Sequence, residues 1–186
     1  MSNIKQAVIL AGGLGTRLRP ITDTIPKPMI PVNGRPFLEY LIDLLKENGI
    51  TEVVLCLGYL PEKIIEHFGD GSKFGTKISY SVSEVENETG RRLKLAEPFL
   101  DQKFLLMYCD NYWPLQLPKM MEAFEKQNLP FMMTVYTNKF DITKNNVLVE
   151  NDHVVKYDKS RQDTNLNGVD IGFMLVDKSV LSLIGD

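Results

Sequence analysis

The chain has 186 residues, which fits the usual ~100–200 residues per domain and makes one domain with a single core the expectation. With 44% hydrophobic and 24% charged residues it resembles neither a disordered chain nor a membrane protein. A net charge of −3 excludes a general nucleic-acid binder while leaving room for a local basic site for a phosphorylated small molecule.

Strand-like and helix-like runs alternate over the first two thirds of the chain, the pattern of an α/β fold with helices on both faces of a mostly parallel sheet. Residues 7–10 form a short buried strand. The loop behind it, GGLGTRLRP, carries three glycines with Arg17 and Arg19, and leads without a helix signal through Thr22 and Thr24 to Lys27 between two prolines. Pro36 opens a helix in which Phe37, Tyr40, Leu41, Leu44 and Leu45 recur at helical spacing until Gly49 stops it. Residues 51–57 read as the second strand and contain Cys56. Pro61 starts a short helix with Ile64, Ile65 and Phe68 that ends in the turn-rich FGDGSKFG, and residues 78–82 form the next strand. A helix is expected over 93–99, ended near Pro98. Residues 104–108 are apolar throughout, as a strand buried on both faces is, and the chain then passes through Cys109 to Asp110 just beyond its end. A helix at 118–127, a strand at 131–136, a hairpin of 147–150 with 154–157 around Asn151-Asp152, and a strand at 169–176 follow.

Both cysteines lie in or beside apolar runs, and no run approaches the ~20 apolar residues needed to cross a bilayer. A cytoplasmic protein with reduced thiols and no leader or membrane partner is therefore the expectation. His67 and His153 lack a partner at metal-ligand spacing and read as surface residues.

Two familiar phosphate loops are tested by the letters alone. The P-loop pattern G-x-x-x-x-G-K-[ST] is absent, and the dinucleotide pattern G-x-G-x-x-G fails because Leu18 stands where its third glycine belongs, which disfavours a dinucleotide-dependent oxidoreductase. What remains is a loop in which Gly12, Gly13 and Gly15 let backbone amides approach a nucleotide closely. Arg17 offers a fork of donors matched to phosphate oxygens, and Lys27 a point charge on a proline-stiffened segment. In open α/β sheets ligands bind beyond the carboxyl ends of the strands, where both this loop and Asp110 belong.

The stretch AGGLGTRLRPITDTIPKPMIPV resembles the N-terminal signature of the sugar-1-phosphate nucleotidylyltransferases, G-G-x-G-T-R-L-x-P-x-T followed by the lysine of a P-K-P. Further along, YCDN is similar to that family's metal-binding G-D segment, YDKS to its E-K-P, and GVDIGF to its N-A-G-I-Y strand. Within the family the pairing of these segments looks most like domains of the heptose- or mannose-1-phosphate guanylyltransferase type. The resemblance implies a Rossmann-like three-layer nucleotidyltransferase fold and a role in nucleotide-sugar biosynthesis. A sugar 1-phosphate would attack the α-phosphorus of a nucleoside triphosphate in line, giving a nucleotide-sugar and pyrophosphate without a covalent enzyme intermediate. It also implies Mg²⁺ as cofactor and no nucleic-acid partner.

By the same resemblance Leu10, Ala11, Gly12, Gly13, Gly15, Thr16 and Arg17 bind the nucleotide, together with Thr89 and Gly90. Arg17 faces the departing β- and γ-phosphates, Lys27 reaches the α-phosphate, Asp110 holds the metal, and Lys159 and Asp170 take the sugar phosphate and sugar hydroxyls. A guanine nucleotide and a heptose are the expected substrates.

Three departures matter. Arg91 and Arg92 replace small residues of the family's G-T-G-G-A loop, where they could face solvent, add phosphate contacts or close the pocket. Cys109 replaces the glycine before the metal aspartate. The family's second metal-binding aspartate lies downstream of where this chain stops, so residues 1–186 are expected to be a single nucleotidyltransferase domain lacking a C-terminal segment, supplied by fusion or by a partner. A catalytically silent, nucleotide- or nucleotide-sugar-binding regulatory module of the same fold is the competing expectation.

Overall fold

A computed structural model describes residues 4–185. In chain order the elements are β1 (Gln6–Ala11), the two-residue strands β2 (Pro31–Val32) and β3 (Arg35–Pro36), α1 (Phe37–Glu47), β4 (Glu52–Leu57), α2 (Pro61–Phe68), β5 (Lys77–Val82), α3 (Thr89–Leu95), β6 (Lys103–Tyr108), α4 (Leu117–Gln127), β7 (Phe131–Tyr136), β8 (Val147–Glu150), β9 (His153–Tyr157) and β10 (Val169–Asp177). Two compact units divide the chain: a larger one that runs to Met132 and resumes at Met174, and a smaller one, Met133–Phe173.

The main sheet has the order β5-β4-β1-β6-β10-β7. It is the mixed, mostly parallel, helix-flanked sheet that the alternation of elements predicts. β1 pairs in parallel with β4 on one side and β6 on the other, and β4 pairs in parallel with β5. All six residues of β1 are buried. A strand covered on both faces has no side for water, which is why residues 7–11 read as an unbroken apolar run. Val8, Ile9, Leu55, Phe104 and Leu105 are fully buried, each contributing about 1.5–3 kcal/mol on transfer from water.

Leu38, Leu41, Ile42, Leu44 and Leu45 form the buried face of α1. Phe37 and Tyr40, which share their spacing, are only half-buried. Tyr40 serves the hairpin of β2 and β3 instead: its hydroxyl donates to the Val32 carbonyl at 2.9 Å and its ring lies 4.7 Å under the Arg35 guanidinium. The helix ends where Gly49 takes φ +79°, a conformation that costs glycine little. On α2, Ile64 and Phe68 are buried while Ile65 is exposed.

The largest departure from the sequence pattern is α3. Periodicity predicts a helix over 93–99, whereas it begins at Thr89 and ends at Leu95, and a separate 3-10 turn, Glu97–Phe99, contains Pro98. The opening residues Thr-Gly-Arg-Arg carry no apolar rhythm, and the buried members of the helix are Leu93 and a charged residue, Arg92.

Gln6 is the buried polar residue of β1. Its Nε2 donates to the Phe99 carbonyl at 3.0 Å and its Oε1 accepts the Asp101 amide at 2.8 Å, fixing the connection that leads into β6. Gln6→Met keeps the volume and leaves both backbone groups unpartnered. We expect a loss of about 1–3 kcal/mol, measured as a lowered urea midpoint at unchanged denaturant slope.

Candidate active site

Leu10 stands level with Cys56 on β4 and with Tyr108 on β6. Because the three strands are parallel, the segments leaving β1 and β6 emerge side by side at one end of the sheet, and Asp110 comes out next to the glycine loop.

Beyond Ala11 the chain enters no α-helix, but runs through three 3-10 turns at Thr16–Leu18, Ile21–Asp23 and Lys27–Met29. Gly15 has φ +64°, and its carbonyl accepts the Leu18 amide at 2.9 Å and the hydroxyl of buried Thr22 at 3.0 Å. A Cβ on Gly15 would stand 3.0 Å from the Thr22 methyl, so both φ and space require glycine. Gly13 faces open space, leaving room for a ligand. Gly12 is buried, with its carbonyl accepting the Tyr59 amide at 3.2 Å.

A cavity of about 270 Å³ lies over this loop, lined by Leu10, Ala11, Gly13, Gly15, Thr16, Arg17, Lys27 and Asp110 from the predicted set, with Leu18, Pro28, Tyr108 and Cys109 in addition. Lys27 donates to the Asp110 carboxylate at 2.5 Å. Their side chains are 27% and 35% exposed, so the pair adds little to stability, and its importance lies in its position. Burial, reinforced by the Asp110 carboxylate, pushes the Cys109 thiol up to about 12, so it is a neutral wall of the cavity rather than a nucleophile. Thr89 and Gly90 open α3 and are not among the lining residues.

Lys159 and Asp170 belong to the smaller unit. Lys159 is exposed on the turn after β9. Asp158 builds that turn: Oδ1 accepts the Ser160 amide (2.8 Å) and hydroxyl, while Oδ2 accepts the amides of Gln162 at 2.9 Å and Asp163 at 3.1 Å. These donors hold the Asp158 carboxyl well below the usual carboxylate range, the Ser160 hydroxyl most of all. Buried Asn146 joins the Asp158 turn to Asp170. Its backbone carbonyl accepts the Asp158 amide at 2.8 Å and its side-chain oxygen accepts the Asp170 amide at 2.8 Å. The Asp170 carboxylate accepts the Gly172 amide at 2.8 Å, and burial raises its pKa. No local sequence signal marks Asn146, because it acts through Asp158 and Asp170, which are distant in the chain.

Among the described residues no three His, Cys, Asp or Glu side chains converge as a metal centre, and no helix is long and apolar enough to cross a membrane. His67, expected to be a surface residue, pairs with Glu39 at 2.8 Å and packs its ring against Phe68 and Phe74.

Comparison with known proteins gives a consistent picture. The sequence model of a family described as "Nucleotidyl transferase" matches residues 6–157. A D-glycero-alpha-D-manno-heptose 1-phosphate guanylyltransferase of Campylobacter jejuni is 42% identical over 115 residues, covering 62% of this chain and 52% of that protein. A UTP–glucose-1-phosphate uridylyltransferase of Synechocystis is 39% identical over 124 residues, 60% of this chain and 32% of that protein. The chain thus spans about half or less of the length of these curated relatives. Among solved structures, HddC from Yersinia pseudotuberculosis in complex with GMP-PN superimposes with a TM-score of 0.77 at 26% identity, over 96% of this chain and 79% of that one.

The Asp158 turn gives a direct test. A lowered folded-state pKa means a stabilisation that is present above the ordinary value of 3.8 and is lost as pH falls through the lowered one. An NMR titration should find the Asp158 carboxyl still ionised when ordinary aspartates have protonated. A midpoint at or above 3.8 would contradict the four-donor turn.

Proposed function

The chain belongs to the nucleotidyl transferase family, and we propose that it joins a nucleoside triphosphate to a sugar 1-phosphate, releasing pyrophosphate. The carrying observation is the convergence of the glycine loop, Arg17, Lys27 and Asp110 on one cavity at the carboxyl ends of β1 and β6. The cations gathered at the cavity suit a reaction of positioning and charge neutralisation.

In the proposed reaction an oxygen of the sugar phosphate forms a bond to the α-phosphorus while the bond from that phosphorus to the bridging oxygen of pyrophosphate breaks. The backbone around Gly13 lies against the nucleotide, where no side chain intrudes. The Arg17 guanidinium meets charge on the departing β- and γ-phosphates, and Lys27 meets the α-phosphate. Asp110 now accepts from Lys27 and so orients that ammonium at the cavity wall. A single carboxylate at the cavity fits Mg²⁺, which is commonly held through one or two carboxylates plus substrate phosphates. Bound there, Mg²⁺ would neutralise phosphate charge.

Lys159, presented by the Asp158 turn, and Asp170 take the sugar phosphate and sugar. The heptose-phosphate guanylyltransferase relative favours a guanine nucleotide and a heptose, with a cytoplasmic site of action where nucleoside triphosphates are available. The competing silent regulatory module is disfavoured because Arg17, Lys27 and Asp110 are all retained at the cavity and the curated relatives are transferases.

Full-length protein should release pyrophosphate from a panel of nucleoside triphosphates and sugar 1-phosphates, and silence across the whole panel would remove the enzyme reading. Arg17→Ala takes away one preorganised cation beside the leaving group and should lower kcat on the order of 10²–10³-fold. Asp110→Asn should lower it further, with a higher Mg²⁺ requirement. Lys159→Ala should chiefly raise the KM for sugar phosphate, since a contact made equally in ground and transition states contributes uniform binding. Near-normal kcat in Asp110→Asn would displace the metal from Asp110.

A further inference from the structure

The two arginines at the start of α3 have opposite environments. Arg91 is exposed, whereas Arg92 is only 5% exposed. The Arg92 Nη1 donates to the Leu57 carbonyl and the Ser83 hydroxyl, both at 2.9 Å, and Nη2 donates to the carbonyls of Glu84 at 2.9 Å and Val85 at 2.8 Å. None of the four acceptors is a carboxylate. Burial of a cation is costly unless its donors are met, and here neutral oxygens from the end of β4 and from the segment after β5 meet them.

The other side of the guanidinium is closed by two glycines. A Cβ on Gly12 or on Gly58 would overlap Arg92. The Gly12 carbonyl is in turn held by the Tyr59 amide. One side chain from α3 thus touches the turn after β1, the turn after β4 and residues 83–85 after β5. Gly12 adjoins Gly13, which lines the cavity. Arg92 adds no contact to that cavity and does not fill it.

The geometry points to Arg92 as a positioning residue of the nucleotide site: it clamps the glycine turn at Gly12 against residues 83–85, so that the backbone meeting a nucleoside triphosphate is ordered before the ligand arrives. This inference rests on the nucleotide reading of the cavity. It gives Gly12 a different purpose from Gly13. Gly13 makes room for ligand, and Gly12 makes room for the clamp. An unclamped turn would have to be ordered by the ligand itself, which weakens binding without altering the chemical step.

The test uses full-length Arg92→Ala, Arg92→Lys and Gly12→Ala proteins and the double variant Gly12→Ala/Arg92→Ala. The probe is whichever nucleoside triphosphate binds the wild type most tightly in the presence of Mg²⁺. Arg92→Ala should weaken nucleotide binding on the order of 10-fold, with KM for sugar phosphate unchanged. Millimolar guanidinium should recover part of the loss. Gly12→Ala should weaken binding in the wild-type background and add little in the Arg92→Ala background, since the group it collides with is gone.

A purely structural arginine would lower the melting temperature and leave nucleotide affinity of the folded protein intact. That result, or equal effects of Gly12→Ala in both backgrounds, overturns the clamp. Should Arg92→Ala fail to fold, Arg92→Lys decides, because its single ammonium cannot span four acceptors. Wild-type nucleotide affinity in Arg92→Lys overturns the proposal and weakened affinity supports it. No nucleotide binding by the wild type itself would instead sink the reading of the cavity.

Discussion

The rest of the structure depends on the parallel register of β1 with its two neighbours. With Leu10 opposite both Cys56 and Tyr108, three chain segments leave the sheet at one level, and the side chains they carry have to share a small volume. Parallel pairing with a neighbour on each side fixes that register. From that follow the adjacency of Asp110 to the glycine loop, the Lys27–Asp110 pair and the cavity between them.

Charge at this end of the sheet is arranged by two different means. Lys27 and Asp110 are partly exposed and neutralise each other at the cavity wall, a pairing that an incoming phosphate or cation can rearrange at modest cost because water already reaches both groups. Arg92 is buried and held by three backbone carbonyls and the Ser83 hydroxyl, so displacing it would leave a buried cation without its partners. The exposed pair suits chemistry in which charge moves, and the buried arginine suits holding a backbone still.

The smaller unit shows polar side chains employed as scaffolding. Asp158, in the segment that resembles the family's E-K-P, has both carboxylate oxygens occupied by its own turn, on which Lys159 is exposed. Asn146 ties that turn to Asp170 through its backbone carbonyl on one side and its side-chain oxygen on the other. Removing either scaffold residue leaves backbone donors unmet.

Much of this was legible in the letters. Apolar runs marked β1, β4 and β6 because doubly buried strands must be continuously hydrophobic, and the glycine–arginine–lysine stretch marked the loop that lines the cavity, because close backbone approach and fixed positive charge demand those residue types. The start of α3 was not legible: its second turn is stabilised by the hydrogen bonds of Arg92 to residues 57 and 83–85, contacts that leave no periodicity in the helix itself. Nor could the sequence distinguish Gly12 from Gly13, or Arg91 from Arg92. Identical side chains acquired opposite duties only when strand pairing set one beside a buried guanidinium and the other beside open space, since burial and contact distance are properties of the assembled sheet and not of the local chain.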